Sequence, residues 1–280
     1  MKKFLDIIIK LGSVDRRYIF VLVGLSVLIP LVYPIDIPIR PTQQSQDVFN
    51  AIEALQPNSK VLISFEYGPS TKPEIHPMSM ALLRQLFEKG FKVYATALWP
   101  DGIFMSTEAF ATIDTEFQLE YGVDYVNLGF RPGNEAVVKG IASDIRTLYT
   151  TDTRGNQISN IPMMQGINDV RDFDFVFSLS AGYPGTKEWV QYACDPHNIP
   201  MSSGCTSIQV TEVLPYVANG QVKGILAGMP GAAEYEKLVN HPGQATGMMA
   251  AQSFAHLVIV AFIIFGNITY FVQRKREQKK

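Results

Sequence analysis

Two uncharged apolar segments bracket this chain and limit what it can fold into more than anything between them. Tyr18 to Tyr33 reads YIFVLVGLSVLIPLVY behind Lys10, Arg16 and Arg17, and Ser253 to Val272 reads SFAHLVIVAFIIFGNITYFV ahead of Arg274, Lys275, Arg276, Lys279 and Lys280. A helix that crosses the hydrocarbon core needs about 17 to 25 apolar residues. The second segment meets that length, and the first reaches it with Pro34 and Ile35. A cleaved secretory signal ends in small residues of the A-x-A kind. Here the exit is LVYPIDIPIRP, so an uncleaved anchor is expected.

Basic residues near the span ends give an orientation, because Lys and Arg are retained on the cytoplasmic side. Lys2, Lys3, Lys10, Arg16 and Arg17 precede the first segment, and only Arg40 follows closely. Lys237 is near the start of the second, which ends in the five basic residues named above. Both termini are therefore expected in the cytoplasm. The resulting organisation is a basic tail (1–17), a transmembrane helix (18–34), a Pro-rich stalk (35–44), an extracytoplasmic domain (45–242), a linker (243–252), a second transmembrane helix (253–272) and a basic tail (273–280). His256 and Asn267 are costly against lipid and are expected at a helix contact or near the interface. Residues 4–11, FLDIIIKL, suit a short amphipathic helix on the inner leaflet.

The two ends, residues 1–33 and 253–280, hold ten Lys/Arg against three Asp/Glu, whereas residues 34–252 hold fourteen against twenty-three. A middle that acidic argues against nucleic acid as a partner. Within it, short apolar runs alternate with helical periodicity. The runs are VLISFE (61–66), KVYATAL (92–98), VDYVNLGF (123–130), FDFVFSLS (173–180), IPMSS (199–203) and GILAGM (224–229). Helices are expected from Ser45 as N-cap, from Pro77 to Gly90, and over about 107–121, 134–149, 186–194, 206 onward and 231–240. Pro215 should kink or stop the sixth. Near-continuous apolar strands separated by helices predict an α/β domain with a mostly parallel, doubly wound sheet of about six strands, Rossmann-like or flavodoxin-like, flanked by an N-terminal and a C-terminal transmembrane helix.

In such sheets ligands bind beyond the carboxyl ends of the strands. Three x-Pro-Gly sequences fall there: Arg131-Pro132-Gly133, Tyr183-Pro184-Gly185 and Met229-Pro230-Gly231. Ser178, Ser180, Gly182, Tyr183, Gly185 and Thr186 form a candidate cradle for a small anionic or polar ligand, with Arg131 as charge partner. Ordinary turn chemistry explains the same residues. There is no GxGxxG and no GxxxxGK[ST], so no nucleotide cofactor is implied. Cys205, in SSGCTS, is expected where a strand becomes a helix, with His76 in the loop after the first strand as a base and Glu66 or Glu74 as its orienter. A buried, inert thiol competes with that reading. Cys194 and Cys205 should lie too far apart for a disulfide. The scattered histidines support no metal site, and the carboxylates near strands, Glu66, Asp101 and Asp124, read mostly as solvated.

Three functions follow in order. The first is a non-enzymatic subunit or scaffold that assembles with copies of itself or with other membrane proteins. Next comes a tethered small-molecule binding module, and last a membrane-bound hydrolase or transferase using Cys205 or a serine at 178–180. No cofactor is expected.

Overall fold

A computed structural model describes residues 15–33, 35 and 37–278. The segment 4–11, Lys2, Lys3, Lys10, Pro34, Lys279 and Lys280 lie outside the described residues. The chain divides into two compact units, Ile39–Thr246 and the two ends, Met1–Pro38 with Gly247–Lys280.

The larger unit is a six-stranded, all-parallel sheet in the order β3-β2-β1-β4-β5-β6. Its strands are β1 (Lys60–Glu66), β2 (Lys92–Ala97), β3 (Tyr125–Phe130), β4 (Phe175–Ser180), β5 (Met201–Cys205) and β6 (Ile225–Ala227). All six apolar runs become strands because a parallel sheet covered on both faces needs residues that are buried in either direction. The order moves outward from β1 to one edge and then from β4 to the other. It is the doubly wound arrangement with its switch point between β1 and β4, and it decides for the Rossmann-like order over the flavodoxin-like one.

In chain order the helices are α1 (Arg16–Val32), α2 (Gln43–Glu53), α3 (Lys72–Glu88), α4 (Gly102–Phe117), α5 (Glu135–Ser143), α6 (Ile145–Leu148), α7 (Thr186–Trp189), α8 (Asp195–His197), α9 (Val210–Ala218), α10 (Gly228–Leu238) and α11 (Gln244–Glu277). A π-helical turn, Val190–Cys194, joins α7 to α8. On one face of the sheet Leu62, Tyr94, Val126, Val176 and Met201 join a core with Val137, Val138 and Ile141 of α5 and with Trp189, Val190 and Ala193. Val61, Ile63, Phe65, Phe175 and Phe177 alternate with these and are equally buried on the opposite face.

Several boundaries differ from the sequence expectation, each for a local reason. Thr42, not Ser45, caps α2; its side chain accepts from the Ser45 amide. Pro73 takes the first turn of α3, so Pro77 lies inside that helix and His76 sits on it, not in a loop. The helix expected over 134–149 breaks at Asp144, whose extended backbone and side chain cap α6 by accepting from Arg146 N. The polar run 150–164 buries Ile158, Ile161, Met163 and Met164 through short 3-10 turns. Pro215 is accommodated within the nine-residue α9. Gly228 already begins α10, so Met229-Pro230-Gly231 is the start of a helix and not a βα loop.

Helix α10 carries two acids that hold other helix starts. The Glu234 carboxylate accepts from Thr42 N (3.0 Å), Thr42 Oγ1 (2.7 Å) and Ser45 Oγ (2.6 Å) at the head of α2. Glu236, only 2% exposed, accepts from Gly243 N, Ala245 N, Thr246 N and Thr246 Oγ1 within 2.6–2.9 Å at the head of α11. Free amides at a helix start carry partial positive charge, which a buried carboxylate both satisfies and is satisfied by.

In the other unit, one helix among the described residues is long and apolar enough to cross a membrane, Gln244–Lys275 within α11. The 17-residue α1 measures about 25 Å at 1.5 Å per residue, short of a hydrocarbon core of about 30 Å. The expectation of a spanning N-terminal helix is therefore not met by length. Asn267 donates its side-chain amide to Ile263 O in its own helix (2.9 Å), so it needs no second helix to satisfy that donor. His256 is exposed.

Replacing Glu236 by Ala leaves three amides at the head of α11 unpaired. The substitution is expected to cost about 2–3 kcal/mol in chemical denaturation and to abolish hydrogen-exchange protection at Gly243, Ala245 and Thr246. Unchanged protection there would show that the cap contributes nothing.

Candidate functional site

Register brings four hydroxyl residues to one level across the middle of the sheet. Thr96 of β2 pairs with Ser64 of β1, Ser64 with Ser178 of β4, and Ser178 with Ser203 of β5. All four are fully buried on the face that carries Leu62 and Val176. One level further toward the carboxyl ends, Glu66 closes the central strand opposite Ser180.

Glu66 has no solvent exposure, which corrects the reading of it as a solvated carboxylate. Ser178 Oγ lies 3.1 Å from its Oε2, Trp189 Nε1 donates to Oε1 at 3.1 Å, and Ser64 Oγ bonds to Oε1. Thr186 Oγ1 bridges Ser178 Oγ (3.1 Å) and Ser203 Oγ (2.6 Å), while Thr96 Oγ1 pairs with the Tyr149 hydroxyl (2.5 Å). Burial raises the Glu66 carboxyl to about 8, against hydrogen bonds from Ser64, Trp189 and Ser178 that pull it down, and the neighbouring Glu188 charge adds to the rise. At neutral pH the group is a protonated acid. Its proton has acceptors along the hydroxyl chain, since each hydroxyl can donate once and accept twice.

Two side chains that follow β2 press on the loops leaving β1 and β4, the strands that flank the switch point. Trp99, after β2, donates its indole N–H to Pro184 O (3.0 Å), and its ring lies so close to Gly182 that a Cβ there would sit 3.0 Å from it. Asp101 covers Gly68 in the same way, its Oδ2 2.6 Å from where a Cβ would be. A cavity of about 110 Å³ opens one strand further along, lined by Gly182, Tyr183, Thr186, Lys187, Glu188, Gln209, Glu212 and Val213.

The candidate cradle is partly assembled there. Gly182, Tyr183 and Thr186 line the cavity. Ser180 turns its hydroxyl to Gly182 O and Gln209 Oε1, both at 3.1 Å. Gly185 gives its amide to Glu188 Oε2 at 2.8 Å. Arg131 does not join them. Its guanidinium donates to Leu148 O, Phe130 O and Thr151 O and lies over the Tyr149 ring, beside edge strand β3. Three strand spacings separate β3 from β4, on the order of 14 Å.

Cys205 is the last residue of β5, completely buried, and burial pushes its thiol up to about 12. His76 Nδ1 lies 2.9 Å from the Tyr67 hydroxyl, and burial lowers the pKa of its ring. Among the described residues no hydrogen bond joins the two. Glu74, the other proposed orienter, instead accepts from Ser207 N and Oγ at 2.9 Å. Cys194 and Cys205 are free and buried. Among the described residues no three of His, Cys, Asp and Glu converge on a point that could hold a metal ion.

The sequence alone points to neither the hydroxyl row nor Glu188. The signal available was serine alternating within FVFSLS and a Glu closing VLISFE, both odd in strands buried on two faces. Comparison with models of protein families, with curated proteins and with solved structures returned no match.

The raised Glu66 carboxyl sets a pH dependence. Below about pH 4.5 folded and unfolded chains are both protonated there. Between about 4.5 and 8 the folded state keeps a proton that the unfolded state has lost, so stability falls as pH rises through that window, by on the order of 5 kcal/mol in all. Denaturation midpoints are expected to fall across it in the native chain and to stay flatter in Glu66→Gln. Identical slopes in the two proteins would refute the assignment.

Proposed function

We propose that this chain is a membrane-anchored, non-enzymatic subunit. Its α/β domain is held on the extracytoplasmic side and assembles with copies of itself or with other membrane proteins. The observation that carries this is α11, whose apolar length suits a membrane and whose Leu257, Val260, Ile263, Ile264 and Phe271 are exposed. Helix α1 is the second anchor. It exposes Tyr18, Phe20, Leu22, Leu25 and Leu28, and the sequence stays uncharged past its end through Ile35. Arg16 and Arg17 at the start of α1, and Arg274 and Lys275 at the end of α11, support cytoplasmic termini.

The buried side chains support a non-catalytic domain. Cys205 is a neutral thiol, and the hydroxyls of Ser178 and Ser203 are buried within hydrogen bonds to other side chains. Two helices cannot by themselves enclose a transport path. Purification of the full chain in mild detergent, followed by mass spectrometry under non-denaturing conditions, is expected to show a defined oligomer or a stoichiometric membrane-protein partner. A bare monomer would contradict the proposal.

A further inference from the structure

The surface of α11 is not uniform around its axis. Ala251, Phe254, Val258, Phe262, Phe265 and Thr269 are partly or wholly buried and recur every three or four positions. At about 100° per residue they form one line down the helix. Helix α1, in the same compact unit, has a matching line of covered residues at Ile19, Val23, Ser26, Val27 and Pro30. On the opposite side of α11, Ser253, His256, Val260, Ile263, Asn267 and Tyr270 are all exposed. Their spacing alternates strictly between three and four, the heptad period that keeps two helices in contact along their length.

This bare side is polar where lipid would otherwise lie against it. The uncharged segment 253–272 is centred between Phe262 and Ile263. At 1.5 Å per residue Asn267 lies about 7 Å and His256 about 10 Å from that centre, inside the ~15 Å half-thickness of the hydrocarbon. The short Asn side chain does not reach its edge. One amide hydrogen of Asn267 goes to Ile263 O. That leaves its Oδ1 and second N–H without a partner among the described residues, where no hydrogen bond reaches the His256 ring either. Such groups are costly against lipid and are met by polar side chains of a neighbouring helix.

The membrane narrows the choice of neighbour. Copies of one chain insert in one orientation, so two α11 helices meet in parallel and each residue on a two-fold axis faces itself. Pairing with itself requires a side chain that both donates and accepts. Asn does so through its amide, neutral His through its two ring nitrogens, and Ser and Tyr through their hydroxyls. The seam from Ser253 to Tyr270 carries no Lys, Arg, Asp or Glu that would repel its own copy. We propose that α11 pairs with α11 of a second copy of this chain along this seam, Asn267 bonding to Asn267 and His256 to His256 across the axis. The inference rests on the membrane-anchored assembly proposed above and names its partner and its contact.

The test uses the full chain in phosphatidylcholine vesicles, with Ile263→Cys on the seam and Phe262→Cys on the opposite side. Native Cys194 and Cys205 are buried in the α/β unit. Under mild oxidation Ile263→Cys is expected to give a disulfide-linked dimer, because facing positions on such a seam fall within disulfide reach, and Phe262→Cys to remain a single chain. In mild detergent, the double variant His256→Leu with Asn267→Val is expected to raise the dimer Kd at least about tenfold in sedimentation equilibrium. Both changes lie outside the α/β unit and are apolar, so its folding is not at stake. Equal cross-linking from both cysteines, or a dimer undiminished in the double variant, would overturn the seam and leave the assembly reading standing. A stoichiometric complex with a different membrane protein and no self-association would also overturn this inference alone, whereas a bare monomer would overturn both.

Discussion

A carboxyl group at the end of the central strand, with no solvent around it, sets the terms for the middle of this fold. Glu66 must be neutral or fully hydrogen-bonded, because a bare buried carboxylate costs more than a domain of this size can absorb. The surroundings supply both conditions. Ser64, Ser178 and Trp189 bond to it directly, and Thr186 and Ser203 continue the chain toward the cavity. The same bonds fix strand register, since a one-residue slip of β4 or β5 would turn Ser178 or Ser203 to the opposite, apolar face. Trp189 is drawn from the helical side onto the sheet by the same acid, so the layer above β1 and β4 is tied by a polar contact as well as by packing.

Acids perform a second structural task at α10. Glu234 and Glu236, two residues apart, hold the heads of α2 and α11, the first helix of the α/β unit and the helix that leaves it. Both interactions place negative charge against free helix amides, where it is stabilising. The chain thus uses its acidic middle for internal capping as well as for solvation, which a net charge alone does not reveal.

The six strands were legible because burial on both faces leaves continuous apolar runs, and all six runs became strands. Helix starts were less legible. Pro77 read as a first-turn proline, yet Pro73 occupies that place and the helix runs through Pro77. The apolar residues of 150–164 are scattered among polar ones, so no periodicity marks Ile158 and Met164 as core, though both are buried. Of the candidate cradle, Gly182, Tyr183 and Thr186 meet at one cavity, whereas Arg131 serves the carbonyls beside β3. The hydroxyl row could not be read, because it depends on which strands are neighbours and at what level. Glu188 escaped notice for a related reason: only the turn at Gly185 folds its carboxylate inward.

The most direct test of this account is the ionisation of Glu66 itself, followed by carbon-13 NMR of side-chain carboxyls in glutamate-labelled protein, with Glu66→Gln to assign the resonance. The account expects a midpoint near 8, with the acid protonated at neutral pH. A midpoint at the ordinary value of 4.5 would contradict it, placing an ionised, solvated group where the structure has a buried, neutral one.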